Sequence, residues 1–331
     1  MKLMHTRGGR IGGAVVLGIG ITAAPVVENC MMERTAHAQE AQRQSGAPQQ
    51  APAYSSRTNP FGLNQRLRDI AREISENPDA TARQKVDKLF ETLRSGAENG
   101  VRVVDASGRP PRTAIETYEQ GGDCSELANL AIALLKQLNI PGGAYVVHFN
   151  SAPADVYHMV PYVQIGNDKI VMDLQADSLG ATATGAYTTL LTLTFSEAAY
   201  IYHAEWGDYL MGTGDKDGAI KAYEAAVAIC DRDAFVHHNL AVLYEEKGDM
   251  EKAGRHSRRA AELAPDRYGQ YQARGTYNEE LQAGGEAAEA GRWADCVRHL
   301  QNALDSGERL SAEERHTIEQ YRDTCAEQMR Q

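Results

Sequence analysis

A chain of 331 residues has room for two modest domains, each with its own core. Its 34 basic and 45 acidic side chains leave a formal charge of −11, and no Lys/Arg block offsets it, which argues against a general nucleic-acid binder. Arg255, His256, Arg258 and Arg259 cluster, but on a helix such a run is ordinarily a solvated face.

Residues 1–38 read as a signal peptide. Lys2, Arg7 and Arg10 form a positive start, an uncharged Gly-rich apolar run covers residues 11–27, and Ala36-His37-Ala38 is a small-x-small cleavage site. The expectation is export, into a periplasm, with no stable membrane span after cleavage. The alternative is an inner-membrane anchor through residues 11–27, which is short for a span and carries glycines and Pro25. Removing residues 1–38 takes away four basic and two acidic side chains, so the mature charge falls from −11 to −13. Cys30 leaves with the signal. Cys124, Cys230, Cys296 and Cys325 remain, too few and too widely spaced for a disulfide framework, though one bridge among the last three is allowed.

Residues 39–60 are rich in Gln, Ala, Pro and Ser, and read as a flexible linker because they bury too little to offset ordering entropy. Leu63, Leu67, Ile70 and Ile74 then recur at helical spacing up to Pro78. Thr81 starts a second helix with Val86, Leu89, Phe90 and Leu93 on one face. Residues 99–111 form a loop with room for a short strand at 101–104. Leu127, Leu130, Ala131, Leu134 and Leu138 make one apolar stripe, with Asp123 or Cys124 as N-cap and Pro141-Gly142-Gly143 as the stop. Residues 144–149, 156–165 and 169–174 read as strands. Gly166-Asn167 is a hairpin turn, and the Gly/Thr-rich stretch to 194 adds more sheet.

From Ser196 the pattern turns helical and repeats. Leu210 and Tyr244, Gly214 and Gly248, Ala219 and Ala253, and Ala226 and Ala260 are each 34 residues apart, with Pro265 after the second unit. Gly291, Cys296 and Ala303 follow Gly248, Ala253 and Ala260 by 43, which predicts a third helical hairpin carrying a nine-residue insertion. Residues 312–329 read as a polar capping helix.

The chemistry centres on residues 121–173. Cys124 opens a helix behind Gly121 and Gly122, where unpaired N–H groups and the helix dipole favour a thiolate. The plain alternative is a small buried hydrophobe, as Cys230, Cys296 and Cys325 are taken to be unless bridged. His158 and His148 both lie in strand patterns. A two-residue turn at Gly166-Asn167 sets Ile165 opposite Asp168 and brings Asp173 opposite Val160, diagonal to His158 on the same face. His148 has no acid so placed. His158 is therefore the expected base and Asp173 its orienting acid, with Asp177 as fallback. The Cys124 N–H is the natural first oxyanion donor, and Gln120 or Tyr118 the second. No cofactor is expected, and a metal site on Cys124, His148, His158 and Asp173 is set aside for want of paired ligand spacing. The sequence has neither a phosphate-binding Gly loop nor Gly-x-Ser-x-Gly.

The Gly-x-Cys helix start, the strand histidine and the acid fifteen residues after it resemble the core of the transglutaminase-like (papain-like cysteine) superfamily. The 34-residue spacing resembles tetratricopeptide (TPR) repeats. The resemblance implies an α+β transglutaminase-like catalytic domain over residues 61–195, then an all-α TPR module over 196–331. It implies thiol-dependent acyl chemistry on a peptide or protein by a catalytic Cys124, His158 and Asp173, with a protein partner at the TPR groove. Met159-Val160-Pro161 departs from the small-residue-then-Trp pattern after the histidine and argues for hydrolysis over cross-linking. The competing reading is a catalytically inactive scaffold acting through its repeats.

Overall fold

The computed structural model describes residues 53–56, 58–94, 100–106, 108–149, 157–181 and 187–330. The signal or anchor segment, Cys30 and the first part of the linker lie outside them.

Two helices open the fold. Asn64 caps α1 (Gln65–Ser75), and a Thr81/Gln84 capping box starts α2 (Ala82–Leu93). Their predicted stripes are buried from Leu67 to Leu93, both at 0% exposure, whereas Leu63 precedes α1 and is half-buried. A third helix, α3 (Ala114–Gln120), is not among the elements expected from periodicity. It is only seven residues long and rests on a Thr113/Glu116 capping box. The long α4 (Cys124–Gln137) is buried along most of its length and carries two stripes. Leu127, Leu130 and Leu134 face α1 and α2, whereas Ala128 and Ile132 face the sheet and the repeats.

The sheet is antiparallel, in the order β3-β2-β1-β4, from β1 (Gly142–Phe149), β2 (Tyr157–Ile165), β3 (Asp168–Val171) and β4 (Tyr187–Thr194). Gly166 at φ 62° makes the two-residue turn, and Ile165 pairs with Asp168 in the predicted register. The face bearing Ala144, Val146, Met159 and Leu193 packs toward the helices; the other carries the small Val147–Val160 cluster. β3 stops at Val171, so Asp173 lies just beyond the strand rather than in it.

Paired helices follow: α5 (Ala199–Thr213) with α6 (Lys216–Ile229), and α7 (Ala234–Glu246) with α8 (Met250–Leu263). Gly214 and Gly248 end the first helix of each pair at φ 84° and 78°, which no side chain but glycine adopts readily. After the short α9 (Pro265–Tyr268), α10 (Tyr271–Glu289) pairs with α11 (Trp293–Asp305). The nine extra residues of this unit divide in two. Six lengthen α10, which has 19 residues against 13 in α7, and three lengthen the connection before it. α12 (Ala312–Gln328) closes the array behind a Ser311/Glu314 capping box, and Cys296 and Cys325 join it to α11 by a disulfide.

Ala219, Ala226, Ala253 and Ala260 are all fully buried. Ala253→Leu inserts three carbons where no room exists and is expected to destabilise the protein by about 1–3 kcal/mol in a urea melt. A change within error would place Ala253 off the helix–helix contact.

Two surfaces differ from their sequence reading. The linker does not stay free to residue 60, because the Tyr54 hydroxyl meets His203 Nδ1 at 3.0 Å and its ring lies 5.6 Å from Trp206. The run at 255–259 is not simply solvated either, since His256 turns inward onto His237 at 2.9 Å between Nδ1 atoms. His237 Nε2–H donates to the Asp231 carbonyl at 3.0 Å, so its Nδ1 accepts from His256.

These buried imidazoles make the repeats acid-sensitive. Burial pushes His238 down to about 4, helped by Arg267, and pushes His256 down to about 4, helped by His237 and Arg255. Both stay neutral when folded, while the unfolded chain takes up their protons near pH 6.5. Their stabilisation is therefore present above about 6.5 and is lost as pH falls toward 4, by up to about 3 kcal/mol for each. Urea melts at pH 7 and 4.5 should show this loss, and His256→Asn should flatten the slope. An unchanged slope would refute the account.

Candidate functional site

Cys124 is positioned by its helix start. The Asp123 side chain accepts the Glu126 N–H at 3.0 Å, and the Glu126 carboxylate returns to the Asp123 N–H at 3.0 Å. Asp123, not Cys124, is thus the N-cap. Glu126 is 1% exposed and also takes both Arg109 nitrogens, at 2.5 and 2.6 Å, and the Arg112 N–H at 2.7 Å. The loop before α3 and the start of α4 are therefore locked to one carboxylate.

The two glycines have a packing reason. Gly121 takes φ 83°, and a Cβ there would meet the Arg102 carbonyl oxygen at 2.7 Å. A Cβ on Gly122 would lie 2.6 Å from Thr117 Cγ2. Gly122 donates to Arg102 O and accepts from Val104 N–H, both at 3.0 Å, so the anticipated strand at 101–104 reduces to one bridge, Val103 to Gly122.

His158 and Asp173 meet. Asp173 Oδ2 lies 3.1 Å from His158 Nε2, and Oδ1 accepts the Gln175 N–H at 3.0 Å, which fixes the carboxylate. Both side chains are buried, at 7% and 3% exposure. Asp177 is exposed, and His148 stands on the opposite face of the sheet from His158 by strand alternation.

Cys124 and His158 line one cleft of about 350 Å³ between the sheet, α4 and the first repeat helices. Val146, Tyr157, Leu190 and Leu191 come from the sheet; Tyr200, Ile201, Glu205 and Phe235 come from the repeats. The Arg267 guanidinium bonds the Tyr157 hydroxyl at 2.8 Å across this junction. Gln120 is exposed, Tyr118 packs with the α1–α2 core, and neither lines the cleft.

The electrostatics differ from the sequence expectation. The Met159 and Ser125 backbone N–H groups favour a thiolate. Burial outweighs them, and the negative Asp123 adds to it, so the thiol is pushed up from its ordinary value. Position at a helix N-terminus does not decide the matter where an acidic cap stands beside the thiol.

Sequence reasoning missed Glu205. Burial, then Asp123, raises this acid well above the usual carboxylate range. Its only signal in the sequence is one acid in the aromatic-rich run Tyr200-Ile201-Tyr202-His203-Ala204-Glu205-Trp206. No group of three or more metal-ligating side chains occurs among the described residues, and no helix among them is long and apolar enough to cross a membrane.

Comparison with known proteins agrees with this architecture. A model of the transglutaminase-like superfamily matches residues 68–173, and a tetratricopeptide repeat model matches 236–267. A TPR repeat-containing protein of Methanocaldococcus jannaschii is 40% identical over 53 residues, which is 16% of this chain and 9% of that protein. The chain carries a transglutaminase-like domain with a small antiparallel sheet, followed by a helical TPR region. Repeats of this class suggest protein–protein interaction.

Proposed function

We propose that the chain is an exported thiol-dependent acyl-transfer enzyme that opens a peptide or amide bond through Cys124, His158 and Asp173. The observation that carries this is the 3.1 Å His158–Asp173 contact beside a cleft that Cys124 also lines. With Nε2 on Asp173, receipt of the thiol proton falls, in this reading, to the His158 Nδ1. Cys124 Sγ attacks the carbonyl carbon, His158 hands the proton to the leaving amine, and water resolves the thioester. The departure at Met159-Val160-Pro161 favours water over an amine acceptor. The Cys296–Cys325 disulfide supports export, since such bonds persist in oxidising compartments. The TPR groove would hold a protein partner.

An epoxide or vinyl-sulfone thiol probe tests the reading, followed by peptide-library profiling of the purified protein. Labelling should map to Cys124, and cleavage should vanish in Cys124→Ala. One observation favours the scaffold reading, namely that burial and the negative Asp123 hold the thiol protonated at rest. Labelling indifferent to Cys124, with no peptide cleaved, would install it.

A further inference from the structure

The cleft holds an acid that the triad does not use. Glu205 projects from α5, the first repeat helix, and lines the cleft together with Cys124 and Ser125. The Ser125 hydroxyl, which lines the same cleft, donates to Asp123 Oδ1 at 2.9 Å. A hydroxyl that has given its one proton to Asp123 has only lone pairs to offer a neighbouring acid. Burial, then the neighbouring Asp123, favours the neutral, protonated form of Glu205. The Ser125–Asp123 bond ends on the N-cap beside the thiol.

The acyl chemistry proposed above needs two donors where oxygen becomes negative. As the first residue of α4, Cys124 has an N–H with no intrahelical acceptor, which supplies one. Gln120 and Tyr118, the sequence candidates for the other, stand away from the cleft. We propose that the carboxylic acid O–H of Glu205, delivered by the first TPR helix, is the second donor to the tetrahedral oxyanion. This rests on the acyl-transfer reading. As the Sγ–C bond forms, the carbonyl π pair moves to oxygen, and the Cys124 N–H and the Glu205 O–H bond that oxygen. The thiol proton goes to His158 and then to the leaving group as its bond to carbon breaks. Glu205 keeps its proton throughout, as a donor must. An acid that must stay protonated also fixes a pH signature, because its ionisation removes the donor and sets a negative charge beside the oxyanion.

The test uses the full chain and p-nitrophenyl acetate, whose burst of nitrophenolate reports acylation of the thiol. Glu205→Ala should slow the burst by about 100- to 1,000-fold. Glu205→Gln, which keeps a donor of the same shape, should stay within about tenfold of wild type and lose the fall in rate at alkaline pH. A Glu205→Ala burst as fast as wild type overturns the assignment, and so do Ala and Gln variants that are equally slow, the pattern of a packing role. A burst that is absent, or that survives Cys124→Ala, refutes the acyl-transfer reading itself and this assignment with it. The Cys124→Ala control thus separates the two failures.

Discussion

Cys124→Ala is expected to lower turnover by about 10⁴-fold or more, with the fold intact, because in the proposed reaction the acyl intermediate forms on its sulfur. The pH dependence of the thiol says how the nucleophile is made. If the helix N-terminus dominated, Cys124 would be a thiolate at rest and would alkylate readily at pH 6. Burial and Asp123 push the other way, so the resting group is a neutral thiol; in the proposed reaction His158 would remove its proton only as attack proceeds. Iodoacetamide labelling of Cys124 should then be slow at pH 6 and climb with pH, without a low-pH plateau. His158→Ala should abolish turnover while changing resting alkylation little. Rapid labelling at pH 6 that His158→Ala removes would demonstrate a preformed thiolate–imidazolium pair and overturn the neutral-thiol account.

Much of this fold could be read from the sequence because its signals are local. The Gly166-Asn167 turn sets a register, and the register alone brings an acid toward His158; the structure pairs Ile165 with Asp168 as that turn requires. The 34-residue spacing works for the same reason, since glycine at φ 84° and 78° and alanine at zero exposure each answer to one nearby constraint. Elements that depend on distant partners were not legible. α3 is too short for a periodic stripe and is signalled only by its capping box. Tyr54 looks like linker until α5 offers His203 and Trp206. Glu205 reads as one acid on a repeat helix, and nothing local says that this helix forms a wall of the cysteine's cleft. The raised thiol has the same origin. A helix start favours a thiolate, but its burial is tertiary.

The largest effect on stability is expected at Glu126. Its carboxylate is 1% exposed and accepts four hydrogen bonds, from both Arg109 nitrogens, the Arg112 N–H and the Asp123 N–H. Arg109 itself is mostly covered, with 19% of its side chain exposed. Surface ion pairs contribute little, but removing one partner of a buried, hydrogen-bonded pair leaves a charge without solvent or counter-ion. Glu126→Ala strands the Arg109 guanidinium and two backbone N–H groups together, so a loss of about 3–5 kcal/mol is expected in a urea melt. Glu126→Gln keeps the shape and one acceptor oxygen but turns an amide donor toward Arg109, and it should lie between. Arg109→Met removes the cation while leaving two of the four donors satisfied, so it should cost less than Glu126→Ala. The damage should be local first, because the same carboxylate closes the capping box that aims Cys124. Thiol labelling of Glu126→Gln should therefore change even under conditions where the variant remains folded. If Glu126→Ala melts within 1 kcal/mol of wild type, a threshold set by the about 0–1 kcal/mol of exposed pairs, the Arg109–Glu126 pair is not what holds the loop to the start of α4.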